Sequence, residues 1–164
     1  MYERFGVCLC DRTTENARAC FRLFLPDKSV GRWQYWRGGV PHIRSIRVIG
    51  TFQELLGQAR WDRDRAPQME KSQVDGGWLW EYRLPYPAPR GFYEYKYKVE
   101  FDDGDVRECS DPCAKYGGSE EDNSAFAVGG TPVETTPLAC RPAPDDLVLY
   151  ELMVDDFTAE YRHN

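Results

Sequence analysis

In the stretch Phe92-Tyr-Glu-Tyr-Lys-Tyr-Lys-Val-Glu-Phe101 apolar and polar residues alternate without a break from Tyr93 onward, and this limits the fold more than any other segment of the chain. Tyr93, Tyr95, Tyr97, Val99 and Phe101 fall on one side; Glu94, Lys96, Lys98 and Glu100 fall on the other. Successive side chains of a strand point to opposite faces, so this is a strand with one buried side and one wet side. Asp102-Asp-Gly-Asp105 reads as a tight turn, and Val106 to Cys109 as the returning hairpin partner. The tyrosine row is read as core.

Other segments repeat the pattern. In Ala17 to Leu25, Ala19, Phe21, Leu23 and Leu25 share one face, while Arg18, Cys20, Arg22 and Phe24 share the other, and Pro26-Asp27 ends the strand. Phe5 to Cys10 reads as a strand with Phe5, Val7 and Leu9 on one face. Ile43 to Ile49 leads into Gly50-Thr-Phe-Gln53. Trp78, Trp80, Tyr82 and Leu84 form a second apolar row, after Gly76-Gly77 and before a proline series. Ser124 to Val128 follows the polar loop Tyr116 to Asn123. Only Phe52 to Ala59 suggests a helical turn. Short alternating strands with turn signals between them predict an all-β fold, an antiparallel sandwich of immunoglobulin-like type. The Cys…Trp…Cys spacing of antibody domains is absent.

Leu147-Val-Leu-Tyr-Glu-Leu-Met-Val154, followed by Asp155-Asp-Phe-Thr158, departs from this pattern because it is apolar almost throughout. Such strands suit a parallel sheet buried on both faces. The expected organisation is a sandwich over 1–130, a stiff proline-rich linker over 131–146, and the first strand of a further domain over 147–164.

The formal charge is −6, with arginines scattered among carboxylates, which disfavours a nucleic acid partner. No window approaches 18 consecutive apolar residues, so no membrane partner is expected. The N-terminus lacks a basic and apolar leader, which gives a cytoplasmic expectation. The six cysteines (Cys8, Cys10, Cys20, Cys109, Cys113 and Cys140) include no Cys-x-x-Cys pair, and the chain has only His42 and His163 beside them. Zinc needs four convergent ligands, so reduced, mostly buried thiols are expected. The acidic clusters Asp102-Asp103-Asp105 and Glu120-Glu121-Asp122 sit in turns without a calcium-loop pattern. Gly38-Gly39 and Gly129-Gly130 do not make phosphate cradles, and there is no Gly-x-Ser-x-Gly. No metal and no cofactor is expected.

The order of features from Ile46 to Val128 carries a resemblance. It runs Gly50-Thr-Phe-Gln, Trp61-Asp, Ala66-Pro-Gln-Met69, a Gly-Gly-Trp strand, Gly91-Phe-Tyr-Glu-Tyr-Lys-Tyr-Lys-Val, Asp-Asp-Gly, Asp111-Pro112 and Asn123-Ser. This resembles the family 48 carbohydrate-binding module, an early-set β-sandwich found at the front of glycogen and starch enzymes. Leu147 to Thr158 is similar to the first barrel strand of the α-amylase superfamily, glycoside hydrolase family 13. The resemblance implies a non-catalytic module that packs on the catalytic barrel of the same polypeptide. The whole enzyme would act on α-1,4 or α-1,6 glucosidic bonds. It also implies that Trp61, Lys96 and Asn123 bind α-1,4-glucan. An aromatic face suits the apolar side of a pyranose, and a few polar groups suit its hydroxyls. Against this stand a Trp61 packed in its loop and a Lys96 that is merely solvated. Trp61 also follows an insertion, Leu55 to Arg60, and Val106-Arg107 occupies the place of a second Trp.

Trp33 and Trp36, near Tyr35, offer a rival platform or a loop staple. Hydrolysis needs two carboxylates about the scissile bond. In the resembling family these come from later barrel strands, and Glu151, Asp155 and Asp156 match only the first. Two rival readings are a stand-alone glucan-binding module and a protein-interaction sandwich unrelated to sugars.

Overall fold

The computed structural model describes residues 4–13, 15–26, 42–120 and 122–129. The chain divides into two units, Met1–Thr131 and Pro132–Asn164, and every described residue belongs to the first. The linker expected over 131–146, the strand expected at Leu147 to Val154, and Glu151, Asp155, Asp156, Cys140, Trp33 and Trp36 lie outside the described residues.

Ten strands are present among the described residues. They are β1 (Gly6–Cys10), β2 (Asn16–Pro26), β3 (Ile43–Gly50), β4 (Glu70–Val74) and β5 (Gly77–Arg83), then β6 (Ala88–Pro89), β7 (Gly91–Phe101), β8 (Val106–Cys109), β9 (Tyr116–Gly117) and β10 (Ser124–Val128). A 3-10 helix, Thr51–Leu56, follows β3 where the sequence suggested a helical turn. One sheet runs β1-β2-β5-β4 with β6 on β2; the other runs β3-β7-β10-β9 with β8 on β7. All ladders are antiparallel. Read as A-B-E-D and C-F-G, these orders are those of the immunoglobulin constant-type sandwich.

The tyrosine row of β7 does what its alternation requires. Tyr95 and Tyr97 are fully buried and Val99 nearly so. Phe21 of β2 meets them from the other sheet, at 5.1 Å from the Tyr95 ring, 5.6 Å from Phe126 and 5.0 Å from Phe52. At the start of β7 the Tyr93 hydroxyl donates to the Pro89 carbonyl at 2.9 Å. This matches the tyrosine corner of immunoglobulin-like domains, where the residue two further on is an inter-sheet cysteine. Here that residue is Tyr95, so the Phe21–Tyr95 contact stands where those domains place a disulfide.

Inside the sandwich, Asp111 is buried and accepts three hydrogen bonds. The donors are the Tyr95 hydroxyl at 2.7 Å, the Tyr97 hydroxyl at 2.9 Å and the Cys113 amide at 2.7 Å. Burial, reinforced by the Asp111 charge, pushes both phenols far above their ordinary value. They therefore stay protonated and donate.

Three expectations need correction. Phe5 does not share a face with Val7 and Leu9: Gly6 takes a left-handed φ of 78°, and the Phe5 ring stacks at 5.5 Å on Phe24, away from the core. In the second apolar row Trp80 and Leu84 are buried, but Trp78 and Tyr82 are only half-buried. The Lys71 ammonium lies 4.3 Å from the Trp78 ring, so that end of the row is capped by a cation rather than enclosed. The cysteines are not mostly buried. Of those described, Cys20 alone is buried; Cys8, Cys10 and Cys113 are partly exposed and Cys109 is exposed, and none of the five is in a disulfide.

Candidate functional site on the outer face of the second sheet

The loop that carries Trp61 begins at a position where only glycine fits. A Cβ on Gly50 would lie 2.1 Å from the Glu94 carbonyl oxygen and 2.9 Å from the Tyr95 Cα, because β3 passes hard against β7 there. The next residue, Thr51, accepts the Glu94 amide at 2.9 Å through its hydroxyl. Phe52 is fully buried. Gln53 is also fully buried, and its side chain ties the loop together. Its Oε1 accepts the Gly50 amide at 3.0 Å; its Nε2 donates to the Asp62 carbonyl at 2.9 Å and to Gln58 Oε1 at 3.0 Å.

These bonds hold Trp61 in a left-handed conformation, φ 58°, with its amide on the Gly50 carbonyl at 3.3 Å. A non-glycine residue there costs about 1–2 kcal/mol, which the surrounding bonds must offset. Asp62 then closes an Asx turn by accepting the Asp64 and Arg65 amides. Beyond it the chain runs along the free edge of β3, where Val48 donates to the Pro67 carbonyl and Met69 to the Ile46 carbonyl. An edge that would otherwise expose a ladder is thereby covered. Trp61 itself is partly exposed.

Lys96 lies on the outer face of β7 between Glu94 and Lys98, opposite Ile49 of β3. Asn123 reaches the same face from the loop before β10, where its Nδ2 donates to Glu94 Oε2 at 2.6 Å. Glu94 also accepts the Ser119 hydroxyl at 2.7 Å and the Ser119 amide at 3.0 Å. Ser119 first and Asn123 after it hold the Glu94 carboxyl below its ordinary value. Gly118 makes this approach feasible: a Cβ there would sit 2.7 Å from Glu94 Oε2 and 2.4 Å from the Asn123 Cβ.

At the other end, Glu108 of β8 stands opposite Lys98. Arg63, from the Trp61 loop, forks onto Glu108 through Nε and Nη2, and Lys98 donates to the Arg63 carbonyl at 3.1 Å. Arg63 holds the Glu108 carboxyl low. Two features thus anchor the loop against the sheet: a buried glutamine below, and a Lys98–Arg63–Glu108 bridge across the surface.

Of the three expected residues, Lys96 and Asn123 share one outer face: Asn123 is bonded to Glu94, and Lys96 stands two residues further along β7. Trp61 lies across β3 on the adjoining loop. Val106, in the place of the second Trp, is half exposed and opposes Glu100. Sequence reasoning missed Gln53, Glu94, Arg63 and Glu108. The alternation of β7 already put Glu94 beside Lys96. The Arg63–Glu108 pair joins residues 45 apart in the chain and left no local signal. Among the described residues no group of three or more His, Cys, Asp or Glu converges as a metal site. No described helix is long and apolar enough to cross a membrane.

No family model matches the chain, and no curated protein matches it in sequence.

Proposed function

We propose that the sandwich is a non-catalytic α-glucan-contacting module of an enzyme that hydrolyses or transfers α-glucosidic bonds, and that it packs on that enzyme's catalytic barrel. The observation that carries this reading is the outer face of β7. A tryptophan fixed in a strained, doubly anchored loop adjoins a strip of hydrogen-bonding side chains, Glu94, Lys96, Lys98 and Asn123, on a rigid sheet. Binding sites combine an aromatic surface with a few fixed polar groups in this way. Glu94 and Glu108 are held low by their donors, whereas a glycosidase acid needs a raised value. In this reading the sandwich serves contact, and bond cleavage belongs to another part of the enzyme. In this reading the protein is cytoplasmic.

The test is titration with maltoheptaose while tryptophan fluorescence is followed. The expected outcome is saturable binding in the micromolar to millimolar range that Trp61→Ala abolishes. A flat titration at millimolar sugar, or binding unchanged in Trp61→Ala, removes the reading. A second reading, contact with a protein surface, draws on Phe92 and Tyr116. Both are 53% exposed, with ring centroids 6.4 Å apart on the same sheet. It gains if sugar leaves the fluorescence unchanged.

A further inference from the structure

On the opposite side of the sandwich, Cys8 of the edge strand β1 pairs directly with Cys20 of β2. We propose that Cys8 and Cys20 form a peroxide-responsive dithiol, in which the partly exposed Cys8 is oxidised first and the buried Cys20 resolves it to a disulfide across the two strands.

Geometry carries the pairing. Directly opposed residues of an antiparallel ladder point to the same face, with Cα atoms about 4.5–5.5 Å apart. That separation falls within the roughly 4.4–6.8 Å span a disulfide accepts. Val7 and Phe21, one position away on each strand, face the core, so both thiols lie on the outer side of the sheet. Arg83, opposite Cys20 and hydrogen-bonded to it, and the ion pair of Glu81 with Arg22 are the charged groups that act on the Cys20 thiol.

The asymmetry of the pair sets the order of events. Cys8 is partly exposed, whereas Cys20 is only 4% exposed. Burial raises the Cys20 thiol, which makes it the poorer first nucleophile and the protected second one. In the first step the Cys8 sulfur attacks hydrogen peroxide: an S–O bond forms, the O–O bond breaks, and one water leaves after protonation. In the second the Cys20 sulfur attacks the sulfenic sulfur: an S–S bond forms, the S–O bond breaks, and the second water leaves. Two thiols and one peroxide yield one disulfide and two waters, and the peroxide oxygens take the two electrons. Opposed Cβ atoms sit about 4.5–5.5 Å apart in a ladder, wider than the roughly 3.5–4.5 Å of a relaxed disulfide. The bridge must draw β1 toward β2, and a strained bond of this kind is the more readily reduced.

The experiment treats the full chain with hydrogen peroxide, blocks remaining thiols with N-ethylmaleimide, and maps peptides without reduction. The expected result is a Cys8–Cys20 linked peptide, lighter by two hydrogen atoms and released by dithiothreitol. Cys10→Ser should retain it. In Cys8→Ser the chain should stay folded by circular dichroism, with Cys20 reduced and blocked only on unfolding. The proposal is overturned if the folded chain links Cys10, Cys109, Cys113 or Cys140 instead. It is equally overturned if Cys8 proceeds to sulfinic acid with no bridge, or if Cys20 oxidises as fast in Cys8→Ser.

Discussion

Replacing Asp111 with alanine should be among the most damaging single changes in the sandwich. The carboxylate is buried, with two phenols and one amide converging on it at 2.7–2.9 Å. Both tyrosines are fully buried, so their hydroxyls have no route to solvent when the acceptor is lost. Leaving a buried polar group unpaired costs about 1–3 kcal/mol, so three orphaned donors amount to about 4 kcal/mol after partial relaxation. With a urea dependence of roughly 2 kcal/mol per molar, the unfolding midpoint should fall by about 2 M. A double-mutant cycle then separates hydrogen bonding from packing. With Asp111 present, Tyr97→Phe removes one bond to a charged acceptor and should cost about 2 kcal/mol. In the Asp111→Ala background the same change removes an orphaned hydroxyl, and should cost nothing or restore about 1 kcal/mol. Urea unfolding followed by tryptophan fluorescence reads all four chains. An equal cost of Tyr97→Phe in both backgrounds, or a loss below about 1 kcal/mol for Asp111→Ala, refutes the account.

Gly50→Ala drives a methyl group into the Glu94 carbonyl, and the neighbouring backbone cannot yield as a flexible side chain would. A loss of about 3 kcal/mol is expected, seen as a melting point lowered by about 10 °C in calorimetry. Gln53→Ala orphans the Gly50 amide and the Asp62 carbonyl, so stability should fall by about 2–4 kcal/mol. Amide exchange at Trp61 should accelerate more than exchange at Tyr95. For Glu94 the folded-state carboxyl lies below its ordinary value of 4.5, so its stabilisation is complete above that pH and fades as acid protonates the folded state. Denaturation midpoints of Glu94→Gln should therefore converge on those of the parent chain as pH falls below 4.5. Parallel curves would contradict the assignment.

Alternation made β7 and β2 legible, because a period of two over ten residues has few other physical explanations. It also put Lys96 on a wet face. The edge strand β4, Glu70-Lys-Ser-Gln-Val74, left no such mark: all five residues are exposed, so nothing apolar had to alternate. The two-residue strands β6 and β9 are too short for any period to appear. Phe5 was misplaced because a single glycine with positive φ reverses the facing of the residue before it. Of the candidate site, the sequence named Lys96 and Asn123 but not Glu94, the carboxylate that Asn123 bonds. The anchoring of Trp61 depends on Gln53, a polar side chain buried by tertiary structure, and no local pattern announces such a residue. Gly50-x-Phe52, Tyr95-x-Tyr97 and Asp111 underlie the family resemblance. In the structure each of them serves backbone approach or the core, so they speak for the fold before they speak for a ligand.

The two sheets are bolted by aromatic rings, Phe21 against Tyr95, at the place where antibody domains use covalent sulfur. No oxidising catalyst has to close that bolt, and no reductant can open it. Refolding from denaturant should proceed at the same rate with or without added thiol, and the joint between the layers can slip and reseat without breaking a chemical bond.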